Sequence, residues 1–178
     1  MNFKNLKRKA DITFYYKKPC DLPDGYMDEI CKLVEAGGSV KTQFVRYNLE
    51  RAYLIAYAIE NGVIIGNSSL KHPRKKFIEQ IKNITGFDFT NYIERGYTSV
   101  KPEYRAMGLG TRLLEGLTKR AENYKIFSII SEDNKATQKR ALRNNTKKIA
   151  VYFSEKNGKK MGLWMPEHMI EQEWNLEL

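Results

Sequence analysis

A chain of 178 residues, 42% hydrophobic and 29% charged, has the size and composition of one globular domain whose core needs no metal or disulfide. Lys and Arg number 31 against 21 Asp and Glu, a formal net charge of +10 that draws polyanions such as nucleic acid, an anionic membrane or a phosphorylated cofactor without choosing among them. The two cysteines, Cys20 and Cys31, are too few for a disulfide scaffold, and no apolar run is long enough for a signal peptide or a membrane span, so a cytoplasmic protein with no membrane partner is expected.

No repeat, low-complexity tract or linker interrupts the chain, so residues 1–178 read as a single domain. Residues 12–16 are β-branched and aromatic and predict a strand, stopped by Pro19 and the turn Pro23-Asp24-Gly25. Tyr26–Ala36 carries Met27, Ile30, Cys31 and Val34 at helical spacing and ends at Gly37-Gly38. Ser39 fits the N-cap of a second helix with Val40, Phe44 and Val45 on one face. Residues 53–60 and 63–70 flank Asn61-Gly62, the strongest short hairpin signal. Residues 75–84 stripe Phe77, Ile78, Ile81 and Ile84 as a helix, and 89–100 read as a longer strand. The clearest helix is 109–123, with Leu109, Leu113, Leu114, Leu117 and Ala121 on one stripe. Residues 125–131 form an apolar strand, 134–143 a polar helix closed by Asn144-Asn145, and 149–154 with 160–165 a last hairpin around Asn157-Gly158. This order is mixed α/β around one central sheet.

Function concentrates between the strand that ends at Val100 and the helix that opens at Leu109. A helix start carries unsatisfied N–H groups and partial positive charge, which together favour phosphate. Gly108 and Gly110 let an anion approach the backbone, Arg105 adds a permanent charge, and Thr111 offers a hydroxyl. The loop is neither of two other phosphate cradles. There is no GxxxxGK[ST] in the chain, and the third glycine of a dinucleotide fingerprint is replaced by Leu113. On the glycines alone a plain strand-to-helix turn is the better explanation of the loop.

The run Val100-Lys101-Pro102-Glu103-Tyr104-Arg105-Ala106-Met107-Gly108-Leu109-Gly110 closely resembles the signature of the GNAT superfamily of N-acetyltransferases. The resemblance extends over about 89–165 and holds for the first third only in element order. It implies a mixed, V-shaped sheet of six to seven strands with helices on both faces. It also implies acetyl-CoA as co-substrate, no metal, and acetyl transfer to an amine by direct attack in a ternary complex. On that pattern Thr98, Ser99 and Val100 pair with the pantetheine arm. The N–H groups of Arg105, Ala106, Met107, Gly108, Leu109, Gly110 and Thr111 hold the pyrophosphate. Asn134 stands where many relatives reach the cofactor with an asparagine, although a helix cap explains it as readily. A homodimer through sheet edges is common in the family.

For the general base the resemblance points to Glu94, eleven residues before Arg105, where histone-acetyltransferase-like members carry a glutamate. Strand alternation, apart from any bulge, sets Glu94, Gly96, Thr98 and Val100 on one side. The competing reading of Glu94 is a strand glutamate paired with Arg95 or a lysine. Tyr92 and Tyr97 are weaker candidates for aligning substrate or water. The usual tyrosine acid is missing, since Ala141 occupies its position. Tyr152 is the substitute, with core packing as its ordinary role. That gap and the basic runs 4–9, 71–76, 139–148 and 156–160 support a rival reading, a weak or inactive coenzyme- or RNA-binding module. Residues 71–90 are longer than a simple connection and predict a flap over the acceptor pocket. His72 and His168 are too scattered for a metal or catalytic cluster, and Cys31 fits a small buried hydrophobe.

Overall fold

The computed structural model of the chain describes residues 11–38, 42–155 and 157–174. In chain order these form β1 (Thr13–Lys17), α1 (Tyr26–Ala36), α2 (Val45–Glu50), β2 (Ala52–Glu60), β3 (Val63–Lys71), α3 (Lys75–Thr85), β4 (Tyr92–Val100), α4 (Leu109–Thr118), β5 (Lys125–Ser131), α5 (Lys135–Arg143), β6 (Thr146–Ser154), β7 (Lys159–Pro166) and α6 (Glu167–Trp174). The predicted cap at Ser39 lies outside the described residues. No described helix is long and apolar enough to cross a membrane.

The strands make one seven-stranded sheet in the order β1-β2-β3-β4-β5-β7-β6. Every pairing is antiparallel except β4 with β5. The β2–β3 hairpin turns at Asn61 and Gly62, both left-handed at φ 49 and 78, as a tight hairpin turn requires. The single parallel pair is short: only Tyr92, Ile93 and Glu94 face Lys125, Ile126 and Phe127. Beyond them both strands continue without each other, so the sheet opens as a V.

Each helix stripe buries against its own part of the sheet. The α4 leucines Leu109, Leu113 and Leu117 pack on Ala56, Ala58, Ile65, Leu70, Ile93 and Ile126. On the other face α1 and α2 bring Ile30, Cys31, Val34, Val45 and Leu49 onto Ile55, Tyr57 and Ile64. Ile81 of α3, with Phe77 and Ile78, joins an aromatic cluster of Phe89, Tyr92, Phe127 and Tyr152. Truncating any of the fully buried leucines to Ala costs roughly 2–5 kcal/mol.

Several boundaries differ from the sequence pattern. α2 starts only at Val45, after a 3-10 turn at Thr42–Phe44, and β6 starts at Thr146, not residue 149. α4 ends at Thr118, not residue 123, because Glu122 turns left-handed at φ 54 to redirect the chain into β5; Ala121 stays buried without being helical. β4 starts at Tyr92, since Asp88 Oδ1 accepts from the Thr90 N–H at 3.0 Å and holds 88–90 in a turn. α6 had no sequence assignment; it starts directly after Pro166, and its Met169 packs against both main clusters.

Candidate active site

A bulge in β4 organises the site. Asn67 faces Ser99 and Ser69 faces Gly96, so three steps on β4 match two on β3. The extra residue centres on Tyr97, left-handed at φ 53, a costly conformation for an aromatic residue. It is fixed at both ends: Asn67 Nδ2 donates to the Tyr97 carbonyl at 2.8 Å, and Asn48 Nδ2 to its hydroxyl at 2.7 Å. The bulge reverses the side-chain alternation, which corrects the expectation that Glu94, Gly96, Thr98 and Val100 share a side. Glu94 and Gly96 face α1 and α2 beside Lys71 and Tyr97. Thr98 instead meets Ser68 Oγ at 2.8 Å and lies against Gly110 of α4, and Val100 packs in the α4 cluster.

Where β4 and β5 part, a cleft of about 410 Å³ opens. Its walls are β4 from Arg95 to Val100, β5 from Ser128 to Ser131, the end of α1, and α5. From Arg95 onward the cleft-facing edge of β4 has no strand opposite it, and a buried strand edge calls for hydrogen-bonding partners. Three arginines line the cleft, Arg95, Arg105 and Arg140, and no carboxylate side chain among the described residues does.

The outer end of the cleft is the loop 101–110. Pro102–Tyr104 makes one 3-10 turn, and Tyr104 donates its hydroxyl to Glu60. Arg105 Nε donates to the Val100 carbonyl at 3.2 Å, which draws the loop back over the strand end. Ala106 and Gly108 are both left-handed, at φ 63 and 80, the alternation that gathers successive N–H groups into an anion nest. Gly108 is the cap of α4, and no side chain bonds the N–H groups of its first turn. Leu109, Gly110 and Thr111 therefore present their N–H groups with no carbonyl a turn earlier to take them. A Cβ on Gly110 would stand 3.1 Å from Arg140 Nη1, so the glycine lets this arginine close on the helix start. Asn134 both caps α5, with Oδ1 accepting from the Thr137 N–H at 3.1 Å, and lines the cleft.

Glu94 does not stand free. Lys71 Nζ donates to its Oε1 at 2.9 Å, with only 7% of the lysine side chain and 22% of the glutamate's exposed. The ammonium also lies 3.7 Å from the centre of the Tyr97 ring. Sequence reasoning counted Lys71 with the solvated basic run 71–76. The available signal was the strand alternation of Asn67, Ser69 and Lys71, which sets the lysine on the face of Glu94. Arg95 turns to the opposite face. Nη1 donates to Thr118 Oγ1 at 2.7 Å and Nη2 to Thr146 Oγ1 at 3.3 Å, while Nε is buried without a partner. Burial pushes this guanidinium down to about 10.

Tyr152 is buried in the aromatic cluster and is not part of the cleft wall. Burial first, and then the charge of Glu94, pushes it up to about 12. Tyr92 lies in the same cluster. Ala141 lines the cleft, so the place of the absent tyrosine is open space. None of residues 71–90 forms part of that wall; α3 is core-packed. His72 is exposed beside Tyr53 and Tyr124, and Cys31 is 5% exposed.

The family model described as the acetyltransferase (GNAT) family matches residues 23–144. No curated protein matches the sequence. Among solved structures, a GNAT family acetyltransferase from Elizabethkingia anophelis with acetyl-CoA bound superimposes with a TM-score of 0.63 at 16% identity, covering 88% of this chain and 97% of that one. An acyl-CoA N-acyltransferase from Pseudomonas aeruginosa gives 0.62 at 15% identity, with 86% and 99% covered. The ribosomal-protein-S18-alanine N-acetyltransferase from Escherichia coli gives 0.61 at 13%, with 86% and 92% covered. At such identities these likenesses show a shared fold.

Proposed function

The chain belongs to the acetyltransferase (GNAT) family and is an acetyl-CoA-dependent N-acetyltransferase, and from that premise we propose that it acetylates a primary amine by direct attack in a ternary complex. The observation that carries this reading is the pairing of an open β4–β5 cleft with an uncapped helix start at its mouth. Coenzyme A fits such a site: its pyrophosphate needs N–H groups and cations, and its amide-bearing arm needs a free strand edge. The N–H groups of 105–111, with Arg105 and Arg140, would hold the phosphates. Thr111 would add a hydroxyl and Asn134 its amide. Thr98, Ser99 and Val100 would pair with the arm. When bound, the coenzyme supplies an activated acyl group, and a strand N–H along the open β4 edge would polarise its carbonyl.

On the opposite face of β4, Glu94 accepts the proton of the acceptor amine. Lys71 assists in two ways. It fixes the carboxylate at 2.9 Å. Its charge also disfavours a second ammonium beside it, which shifts an arriving amine toward the neutral, nucleophilic form. Tyr152, buried off the cleft, keeps its proton at neutral pH.

Calorimetric titration with acetyl-CoA tests the reading. Micromolar binding is expected for the wild type and none for Gly108→Trp, whose side chain would fill the nest and strain a backbone at φ 80. No binding by the wild type refutes the coenzyme site and favours a salt-sensitive polyanion module in its place.

A further inference from the structure

Arg95 is a half-buried cation with no counterion among the described residues. Its hydrogen bonds go to two neutral hydroxyls, those of Thr118 and Thr146. None of the described ion pairs includes it. Its Nε–H is buried and unmatched. A desolvated, unpaired charge is strongly unfavourable, and proteins retain one chiefly where an anion arrives to meet it.

Its place in the fold says where that anion would stand. The last β4–β5 pair is Glu94 with Phe127, so Arg95 is the first residue inside the V. Ser128 lies across from it, and both line the cleft. Arg95 faces Leu70 and Val100 faces Gly66, four steps apart on β3, roughly 13 Å of strand. The guanidinium therefore occupies the inner end of the cleft, and the phosphate-binding loop occupies the outer end. Ala141 opens into the same space, and Thr146, which follows α5 directly, ties Arg95 to that wall. The phosphates are accounted for at the mouth by other groups. The negative charge left for the inner end is the one that appears on sulfur when a thioester is cleaved.

We propose that Arg95 receives the departing thiolate, its positive charge taking the place of the tyrosine absent at Ala141. The proposal rests on the acetyl-transfer reading above. The amine nitrogen forms the new C–N bond, the C–S bond breaks, and its electron pair goes to sulfur. The amine proton goes to Glu94. Arg95 stays cationic throughout, and the thiolate takes its proton from water on release.

Binding of coenzyme A and of desulfo-coenzyme A, measured calorimetrically from pH about 6 to about 9, tests this without an acceptor, since an ordinary thiol titrates near 8.5. In the wild type, coenzyme A should bind more tightly than the desulfo form, with the advantage growing to about tenfold as pH rises. In Arg95→Met the desulfo form should bind as before and the advantage should vanish. Should that variant fail to fold, Arg95→Lys carries the same comparison, with the advantage cut at least threefold because the shorter ammonium stands farther from the sulfur. An advantage absent in the wild type, or unchanged in the folded variants, overturns the proposal while leaving the coenzyme cleft standing. Failure of the wild type to bind the desulfo form overturns both together.

Discussion

Changing Glu94 to Gln removes one charge of a pair whose cation is shut away from water. Only 7% of the Lys71 side chain is exposed, and Nζ lies 2.9 Å from the carboxylate. Stranding one member of a buried pair costs about 3–5 kcal/mol. Two features push the cost to the low end. Gln keeps an oxygen for Nζ, and the Tyr97 ring, 3.7 Å away, offers a desolvated cation–π contact worth about 2 kcal/mol. A loss of about 3 kcal/mol is expected, which in a domain of this size lowers Tm by roughly 6–12 °C. Lys71→Met strands a carboxylate with more water access, and roughly 2 kcal/mol should follow. The double variant removes both charges and should recover most of the roughly 5 kcal/mol that the two single changes cost together, a coupling of about 4 kcal/mol. Scanning calorimetry on the four proteins reads the cycle, and turnover is measured beside it. Glu94→Gln should lower kcat by about 10²–10⁴, and the double variant, stable again, should stay equally slow. Single effects that add within about 0.5 kcal/mol would refute the pair's energetic role. An active double variant would remove Glu94 from the chemistry.

Two further outcomes follow from the site. Tyr152, raised above the free phenol's 10 to about 12, contributes stability that is complete below pH 10 and lost as pH rises through 12. The Tm of the wild type should therefore fall faster over that interval than that of Tyr152→Phe, and parallel curves would refute the shift; Arg95, lowered from 12.5 to about 10, pulls the other way equally in both proteins. Asn134→Ala should cost about 1 kcal/mol as the cap to the Thr137 N–H is lost, whereas Asn134→Asp keeps the cap. If the amide also reaches the coenzyme, Asn134→Asp should keep its Tm and lose acetyl-CoA affinity in calorimetry; unchanged affinity confines Asn134 to capping.

Much of the fold was legible because local and global preferences agree. α1 was bounded correctly by its stripe and Gly37, and the first hairpin by Asn61-Gly62. The loop 101–110 and the helix start after it were legible because glycines, an arginine and a helix start are features of consecutive residues. What escaped depends on partners distant in sequence. Lys71 looks like one more charge in a basic run, and only its register opposite Glu94 buries it. Arg95 looks like half of a surface pair with its neighbour, yet alternation sends the two side chains to opposite faces and 51 residues of chain return Thr146 to meet it. The bulge was equally hidden. Tyr97 has no intrinsic preference for φ 53, and the amides that hold it, Asn48 and Asn67, sit in other elements.

That bulge explains how one strand can serve two substrates. A regular strand after Glu94 would point Thr98 and Val100 toward α1 and α2, the face where Glu94 stands. Val100 could not then close the core under α4, and Thr98 could not lie against Gly110. The one-residue insertion restores both contacts and leaves Glu94, Lys71 and Tyr97 together on the other side. Alternation ahead of the bulge places opposite requirements on opposite faces: a carboxylate with its lysine where an amine would lose a proton, and an unpaired guanidinium where a thiolate would form. Had Glu94 and Arg95 shared a face they would have neutralised each other, and neither could have met a substrate charge. Replacing Asn67 by Leu tests this dependence. The loss of its 2.8 Å bond to the Tyr97 carbonyl should weaken coenzyme binding and turnover together, because the register of β4 beyond Gly96 depends on it. A variant that kept both at wild-type levels would show that the bulge is held by Asn48 and the surrounding packing instead.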